Sequence, residues 1–226
     1  HGHAIVPGML PETPSEPAQP HSRPRSALAR LQQVLVALAM LAAFAWAFLV
    51  WPWGMAWVLV GMAVVLGGHA VVLALECVLA ARVNRADPAP MASWQQWWGA
   101  WWQEVKVAPK VFAWRQPFRW RTLPDTQVAS GSFPPAVVFI HGFLCNRGFW
   151  LPWMERLKAL GVPYVSVNLE PIFGSIDDYV PLVDAAVRTA TALTGKPPTL
   201  ICHSMGGLAA RAWLASAPDA ASRVHA

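Results

Sequence analysis

A long apolar stretch limits most strongly what this chain can fold into. Between residues 31 and 81 the ionisable side chains are His69, Glu76 and Cys77. A stretch of about 50 residues is long enough for two membrane-spanning helices of about 20 residues each with a short connection. The run Trp-Pro-Trp-Gly at residues 51–54 interrupts the stretch, because Pro and Gly break helices and Trp favours the membrane interface. The sequence therefore predicts a helical hairpin that crosses a membrane twice.

The predicted hairpin occupies residues 27–82, with transmembrane helices at about 27–50 and 55–81. The chain of 226 residues is 55% hydrophobic and only 13% charged, which is too skewed for an ordinary soluble domain. A hairpin buried in a soluble protein would need a large apolar partner surface, and the rest of this sequence offers none. Within the second span, His69 is expected to bond to a neighbouring helix rather than to a metal ion.

The arginines that flank the hairpin predict its orientation. Arg23, Arg25 and Arg30 precede the first span and Arg82 and Arg85 follow the second, whereas the turn between the spans has no charge. Positively charged flanks remain in the cytoplasm, so both ends of the hairpin are expected there. The C-terminal part of the chain would then face the cytoplasm.

The segments before and after the hairpin differ in character. Residues 1–26 combine many Pro with Ser, Gln, Glu and His and lack apolar periodicity, which predicts a disordered leader. Residues 83–132 are a connector that contains a Trp-rich amphipathic helix. The positions on its predicted apolar face are Trp94, Trp97, Trp98, Trp101, Trp102 and Val105. Three interpretations stay open: this face lies in the membrane interface, lines a lipid-facing substrate entrance, or packs against the following domain.

A serine between a predicted strand and a predicted helix is the first candidate for chemistry. The apolar run 198–201 precedes Ser204, and the helix-forming run 208–214 follows it. A sharp strand-to-helix turn with Ser at its tip is the context of a nucleophile elbow. Such a turn exposes the hydroxyl and points the backbone N–H of Met205, at the helix N-terminus, toward the same place. Ser204 is therefore the candidate nucleophile and Met205 a candidate oxyanion donor.

The residues around Ser204 support this turn. Gly206 and Gly207 are expected to let the helix pack close to the strand, because they have no side chain. Cys202 stands where the Gly-x-Ser-x-Gly pattern usually has Gly. His203 neighbours the serine in sequence and therefore points away from it, so we expect it to shape the turn.

A second motif lies about 60 residues earlier, a distance that leaves room for the helices and strand of βαβ units. The apolar run 136–140 predicts a buried strand that leads directly into His141, Gly142 and Phe143. In an α/β-hydrolase the loop after this strand supplies the other oxyanion donor, through the backbone N–H of the residue after His-Gly. That residue is Phe143, and His141 and Gly142 support the motif.

Strands and helices alternate between and around the two motifs. The sequence predicts strands at 136–140, 164–168 and 199–202 and helices at 150–160, 176–193 and 208–214. Alternation of this kind is typical of a parallel sheet with helices on both faces. The active site is then expected at the carboxyl ends of the strands, where both motifs lie.

Residues 133–226 resemble the N-terminal half of an α/β-hydrolase of the bacterial triacylglycerol lipase and esterase type. The resemblance is carried by residues 138–143, 145–150 and 203–208. It implies a serine hydrolase that cleaves carboxylic esters through an acyl-enzyme, without a cofactor. Together with the predicted hairpin, we expect a protein of the bacterial inner membrane. Lipid esters are expected substrates because the site is tethered beside a bilayer. Amidases, thioesterases and acyltransferases use the same parts, so these activities stay open.

The resemblance also implies an acid and a base that must follow the nucleophile in the chain. After Ser204 only Asp219 and His225 are available, and neither is expected to reach the site. We therefore expect the acid and base beyond Ala226, which makes 1–226 a C-terminally truncated stretch that is inactive by itself.

Other functional classes receive less support. The net charge is +5, but the basic residues do not form a dense Lys/Arg run, so nucleic acid is not an expected partner. The sequence has no zinc-ligand spacing, P-loop or dinucleotide fingerprint, and its three cysteines imply no disulfide framework. The alternative from another class is a membrane scaffold or permease-associated protein with a non-catalytic hydrolase-like domain. The expected partners are the lipid bilayer and an ester or lipid substrate, and the oligomeric state stays open.

Overall fold

The computed structural model describes residues 26–88, 90–127 and 133–225. The predicted leader, apart from Ser26, lies outside the described residues, as do residues 128–132 at the end of the predicted connector.

Two long helices form the N-terminal hairpin. Helix α1 spans Ala27–Val50 and begins where the Ser26 hydroxyl accepts a hydrogen bond from the Ala29 N–H. Helix α2 spans Met55–Val83, and a short 3₁₀ turn, Trp51–Trp53, joins the two. Both helices are long and apolar enough to cross a membrane, and only 6% of the most apolar window in each is buried. The bounds agree with the two helices predicted from the apolar run.

A tryptophan holds the two arms of the hairpin together. The indole N–H of Trp46 donates a hydrogen bond to the Trp57 carbonyl at 2.9 Å. Its ring lies over Gly61, where an added Cβ would be only 2.0 Å from a ring carbon. Gly61 is the buried residue of α2, so the helices approach closely because this position has no side chain.

The connector contains a long helix that packs on the hairpin. Helix α3 spans Trp94–Ala108, begins with a capping box between Ser93 and Gln96, and continues directly into a π-helical segment, Pro109–Arg119. We refer to residues 94–119 as the connector helix. It ends against the beginning of α1, where the Gln33 side chain donates a hydrogen bond to the Pro117 carbonyl at 2.7 Å.

The tryptophan face of the connector helix divides into two rows. Trp101 donates a hydrogen bond from its indole N–H to the Ala70 carbonyl at 2.8 Å, and a ring nitrogen of His69 lies 3.0 Å from the Val105 carbonyl. These contacts place one row against α2 rather than against the following domain, and they confirm that His69 bonds to a neighbouring helix. The other row, at Trp94, Trp98 and Trp102, is 75%, 52% and 49% exposed.

The C-terminal part has a three-stranded parallel sheet in the order β2-β1-β3. The strands are β1 (Val137–Ile140), β2 (Tyr164–Ser166) and β3 (Thr199–Cys202), and the helices are α4 (Leu151–Ala159), α5 (Val180–Thr194) and α6 (Met205–Ser216). Each strand lies within a predicted strand. The helix predicted over 176–193 begins as a 3₁₀ turn, Asp177–Tyr179, before α5.

The central strand β1 divides its side chains between two cores. Val138 and Ile140 pack with α5 and α6 on one face of the sheet. Val137 and Phe139 pack with α4 on the other face, where the Phe139 ring stacks on Trp150 at 4.9 Å between ring centroids. Helices therefore cover both faces, as the alternation in the sequence predicts.

Candidate active site

Ser204 lies at a strained turn between β3 and α6. Its backbone has φ 50° and ψ −122°, in a region that residues with a side chain rarely adopt. Ser is a favoured helix cap, yet the Ser204 hydroxyl caps nothing, and no described residue forms a hydrogen bond with it. The side chain is exposed at the carboxyl end of the sheet. This is the backbone geometry of a nucleophile elbow.

Two glycines allow the backbone segments around Ser204 to approach one another. A Cβ on Gly206 would lie 2.4 Å from the Ile140 carbonyl oxygen and 2.6 Å from that of His141. A Cβ on Gly142 would lie 3.1 Å from the Ser204 Cβ. The absence of a side chain at Gly206 therefore lets α6 approach the end of β1, and its absence at Gly142 lets the loop after β1 approach Ser204.

Gly207 does not share this role. An added Cβ there would meet nothing within 4 Å, so the expectation that both glycines bring the helix close to the strand is wrong for Gly207. The physical reason is direction: position 206 points toward the end of β1, and position 207 points away from it. Gly207 instead donates its N–H to the Ser204 carbonyl at 2.8 Å, which any residue except proline can do.

The amides of Phe143 and Met205 follow the ends of two adjacent strands. Ile140 pairs with Cys202 in the register of β1 and β3, so the chain leaves both strands at the same level. Met205 is the first residue of α6, where the backbone N–H has no partner within the helix. Both N–H groups lack an acceptor among the described residues.

His141 fixes the shape of the loop after β1. Its side chain is buried, with only 1% exposed. Its Nε2 accepts a hydrogen bond from the Leu169 N–H at 3.0 Å, so its proton is on Nδ1, which donates to the Gly142 carbonyl at 2.9 Å. Burial lowers the pKa of His141 from 6.5 to about 4, because the charged ring would lose its hydration. A neutral His141 therefore ties β1 to the chain beyond β2.

The side chain of His203 packs on Phe149 and lies beside Gly142. Its ring stacks on Phe149 at 4.6 Å between centroids and an angle of 29°. The backbone N–H of His203 donates a hydrogen bond to the Ile140 carbonyl at 3.0 Å, and the backbone carbonyl of His203 accepts one from the Gly206 N–H at 2.9 Å. The His203 backbone therefore links the end of β1 to the start of α6, and a role of its side chain in shaping the turn stays a prediction.

The connector helix reaches the loop after β1 through a residue that the sequence did not reveal. Gln116 is fully buried, and its Oε1 accepts a hydrogen bond from the Asn146 N–H at 2.9 Å. The Asn146 side chain donates in return to the Gln116 carbonyl at 2.9 Å and caps the next turn by accepting from the Gly148 N–H. A single Gln between Arg115 and Pro117 carries no pattern that could predict these bonds.

A partly buried ion pair ties the end of the connector to the same loop. Arg147 is only 4% exposed, and its guanidinium donates to the Asp125 carboxylate at 2.6 Å and to the Leu123 carbonyl at 2.9 Å. Asp125 also accepts from the Ser166 N–H on β2 at 3.0 Å. The connector, the loop and the edge of the sheet therefore form one network.

The two titratable candidates that follow Ser204 lie away from it. Asp219 comes after the C-terminal end of α6, and α6 is about 18 Å long at 1.5 Å per residue. His225 donates its N–H to the Pro198 carbonyl, before the start of β3, whereas Ser204 follows the end of that strand. All three cysteines are free thiols.

The alpha/beta hydrolase family model matches residues 137–226 of this chain. No curated protein and no solved structure matches this chain. The matched residues contain the parallel sheet with helices on both faces and the turn at Ser204. The C-terminal part, which follows two long apolar helices, therefore has the fold of the first half of an α/β-hydrolase. The family match also supports the conclusion that this part belongs to a hydrolase.

Proposed function

We propose that this chain carries the nucleophile and oxyanion hole of a serine hydrolase that cleaves carboxylic esters. The observation that carries the proposal is Ser204, held exposed and uncapped at a strained turn. The unpaired Met205 amide follows it, and the loop that carries the unpaired Phe143 amide lies against it. Strain of this kind persists where the surrounding structure holds it and is concentrated at functional sites. The close approaches at Gly142 and Gly206 provide that support.

In the proposed reaction the Ser204 oxygen attacks the ester carbonyl carbon while its proton passes to a general base. The carbonyl oxygen becomes an oxyanion that accepts hydrogen bonds from the Phe143 and Met205 N–H groups. The carbon–oxygen bond to the alcohol then breaks, the alcohol leaves with the proton, and Ser204 carries the acyl group. Water attacks this acyl-enzyme in the same way and releases the acid.

We place the site at a membrane surface. Helices α1 and α2 have the length and composition of membrane spans, and the uncharged turn between them contrasts with the arginines at their outer ends. The Ala27 N–H donates to the Glu170 carboxylate at 2.7 Å, so the beginning of the hairpin lies against the hydrolase part. This arrangement favours lipid esters over water-soluble ones, with the hydrolase part on the cytoplasmic side.

Labelling with a fluorophosphonate probe tests the assignment in the full-length protein. Wild type is expected to react with the probe and to hydrolyse a nitrophenyl ester, and Ser204→Ala to lose labelling and at least about 10³-fold in kcat. Ser216→Ala, at the opposite end of α6, is the matched control and should retain both. Retained turnover in Ser204→Ala would refute the nucleophile, and an unreactive wild type would favour a non-catalytic scaffold.

A further inference from the structure

An apolar cavity lies between the hairpin and the connector helix. It has a volume of about 620 Å³, within the range of roughly 300–1,000 Å³ typical of small-molecule sites. Leu35 and Ala39 of α1 and Leu66 of α2 line one side, and Phe112 and Ala113 of the connector helix line the other. One side of the cavity is thus formed by the two helices that are long and apolar enough to cross a bilayer.

One end of this cavity meets the loop that follows β1. Leu144 lines the cavity and adopts a left-handed backbone conformation with φ 52°, which is unusual for a branched residue. It lies two residues after Gly142, or at most about 7 Å along the chain. Gly142 itself packs directly against Ser204. The cavity therefore opens beside the candidate oxyanion hole.

The wall of the cavity also contains an unpartnered polar atom. Gln32 lines the cavity and is only 8% exposed, and its Oε1 has no hydrogen-bond partner among the described residues. The other polar residue of the lining, His69, already bonds to the Val105 carbonyl. The remaining side chains of the lining are apolar.

We infer that this cavity holds the acyl chain of a long-chain lipid ester whose carbonyl lies at Ser204. The inference rests on the proposed function, which supplies the ester chemistry. Hydrocarbon matches the aliphatic and aromatic lining, and a chain that enters between α1, α2 and the connector helix need not pass through water. A short acyl group would end before it passed Leu144, so the cavity makes the enzyme selective for long chains.

Filling the cavity tests this selectivity in the full-length enzyme in detergent micelles. Ala39→Trp and Ala113→Trp place an indole in the cavity from opposite walls, whereas Ala42→Trp puts the same side chain at an exposed position of α1 outside the lining. We expect kcat/KM for a nitrophenyl palmitate to fall at least about 10-fold in the first two variants, because they exclude several methylenes. The butyrate ester should change less than about 2-fold in all three variants.

A binding measurement separates the cavity from the chemistry. A palmitoyl ester with a photoreactive diazirine at the chain end is added to the Ser204→Ala variant, and the labelled peptides are identified. Labels are expected in α1, α2 and the connector helix, and Ala39→Trp should remove them.

Labels elsewhere, or an equal loss of palmitate and butyrate hydrolysis in Ala39→Trp, would overturn the cavity assignment. Cavity labelling together with a wild type that hydrolyses neither ester would support the lipid site while refuting the proposed function.

Discussion

Replacement of Gly206 by alanine probes how α6 is held against the sheet. The added Cβ would lie 2.4 Å from the Ile140 carbonyl oxygen and 2.6 Å from that of His141. Ordinary carbon–oxygen contacts are about 3.3–3.6 Å, so the helix start and the end of β1 must separate by about 1 Å. Both neighbours are backbone atoms, which cannot rotate away as a flexible side chain would.

The size of the effect follows from this displacement. Overpacking of a well-packed site lowers the free energy of unfolding by about 1–3 kcal/mol, so Gly206→Ala is expected to be destabilised by this amount. Met205, the proposed oxyanion donor, is the preceding residue and moves with the helix. A misplacement of about 1 Å can reduce activity about 10²-fold, so kcat is expected to fall by that factor.

Gly207→Ala is the matched control, one residue further along the same helix. Its Cβ would meet nothing within 4 Å, and Ala is favoured over Gly in a helix by about 0.5–1 kcal/mol. Urea unfolding of the full-length protein in detergent and hydrolysis of a nitrophenyl butyrate measure both properties. Equal effects of the two substitutions, in either assay, would refute the close approach of α6 to β1 as the reason for glycine at 206.

Three further outcomes are expected. A reporter fused after Pro124 should show no alkaline phosphatase activity, which requires export; strong activity would reverse the orientation of the hairpin. Gln116→Ala leaves the buried Asn146 N–H without an acceptor, so it should lower the free energy of unfolding by about 1–3 kcal/mol. The control Gln103→Ala, at an exposed position, should change the free energy of unfolding by less than about 0.5 kcal/mol. Equal losses in the two variants would contradict the role of this bond. Because the pKa of His141 falls from 6.5 to about 4 on folding, its contribution to stability is present above pH 6.5 and is lost as the pH falls toward 4, by about 3 kcal/mol in total. Urea midpoints across this range should show the loss in wild type but not in His141→Gln, and a flat wild-type profile would argue against a neutral buried imidazole.

Local signals in the sequence were sufficient for the two long helices and for the strands of the sheet. The apolar run predicted α1 and α2 within two residues of their ends, because its length and its interruption at residues 51–54 are properties of contiguous chain. The sequence also predicted the turn at Ser204, because the strand, the short turn and the helix follow one another directly in the chain. The role of the neighbouring His203 side chain stays a prediction, because its hydrogen bonds at the turn are made by the backbone.

Contacts between distant parts of the chain required the tertiary structure. The sequence does not distinguish the roles of Gly206 and Gly207. The position of the Ile140 carbonyl makes glycine necessary at 206 and replaceable at 207. The bond between Gln116 and Asn146 joins residues 30 positions apart, and its strength depends on burial that no local pattern encodes. The cavity beside Leu144 arises where the connector helix crosses the hairpin. Sequence periodicity predicts which face of a helix is apolar, but the gap left between two such faces depends on how they pack.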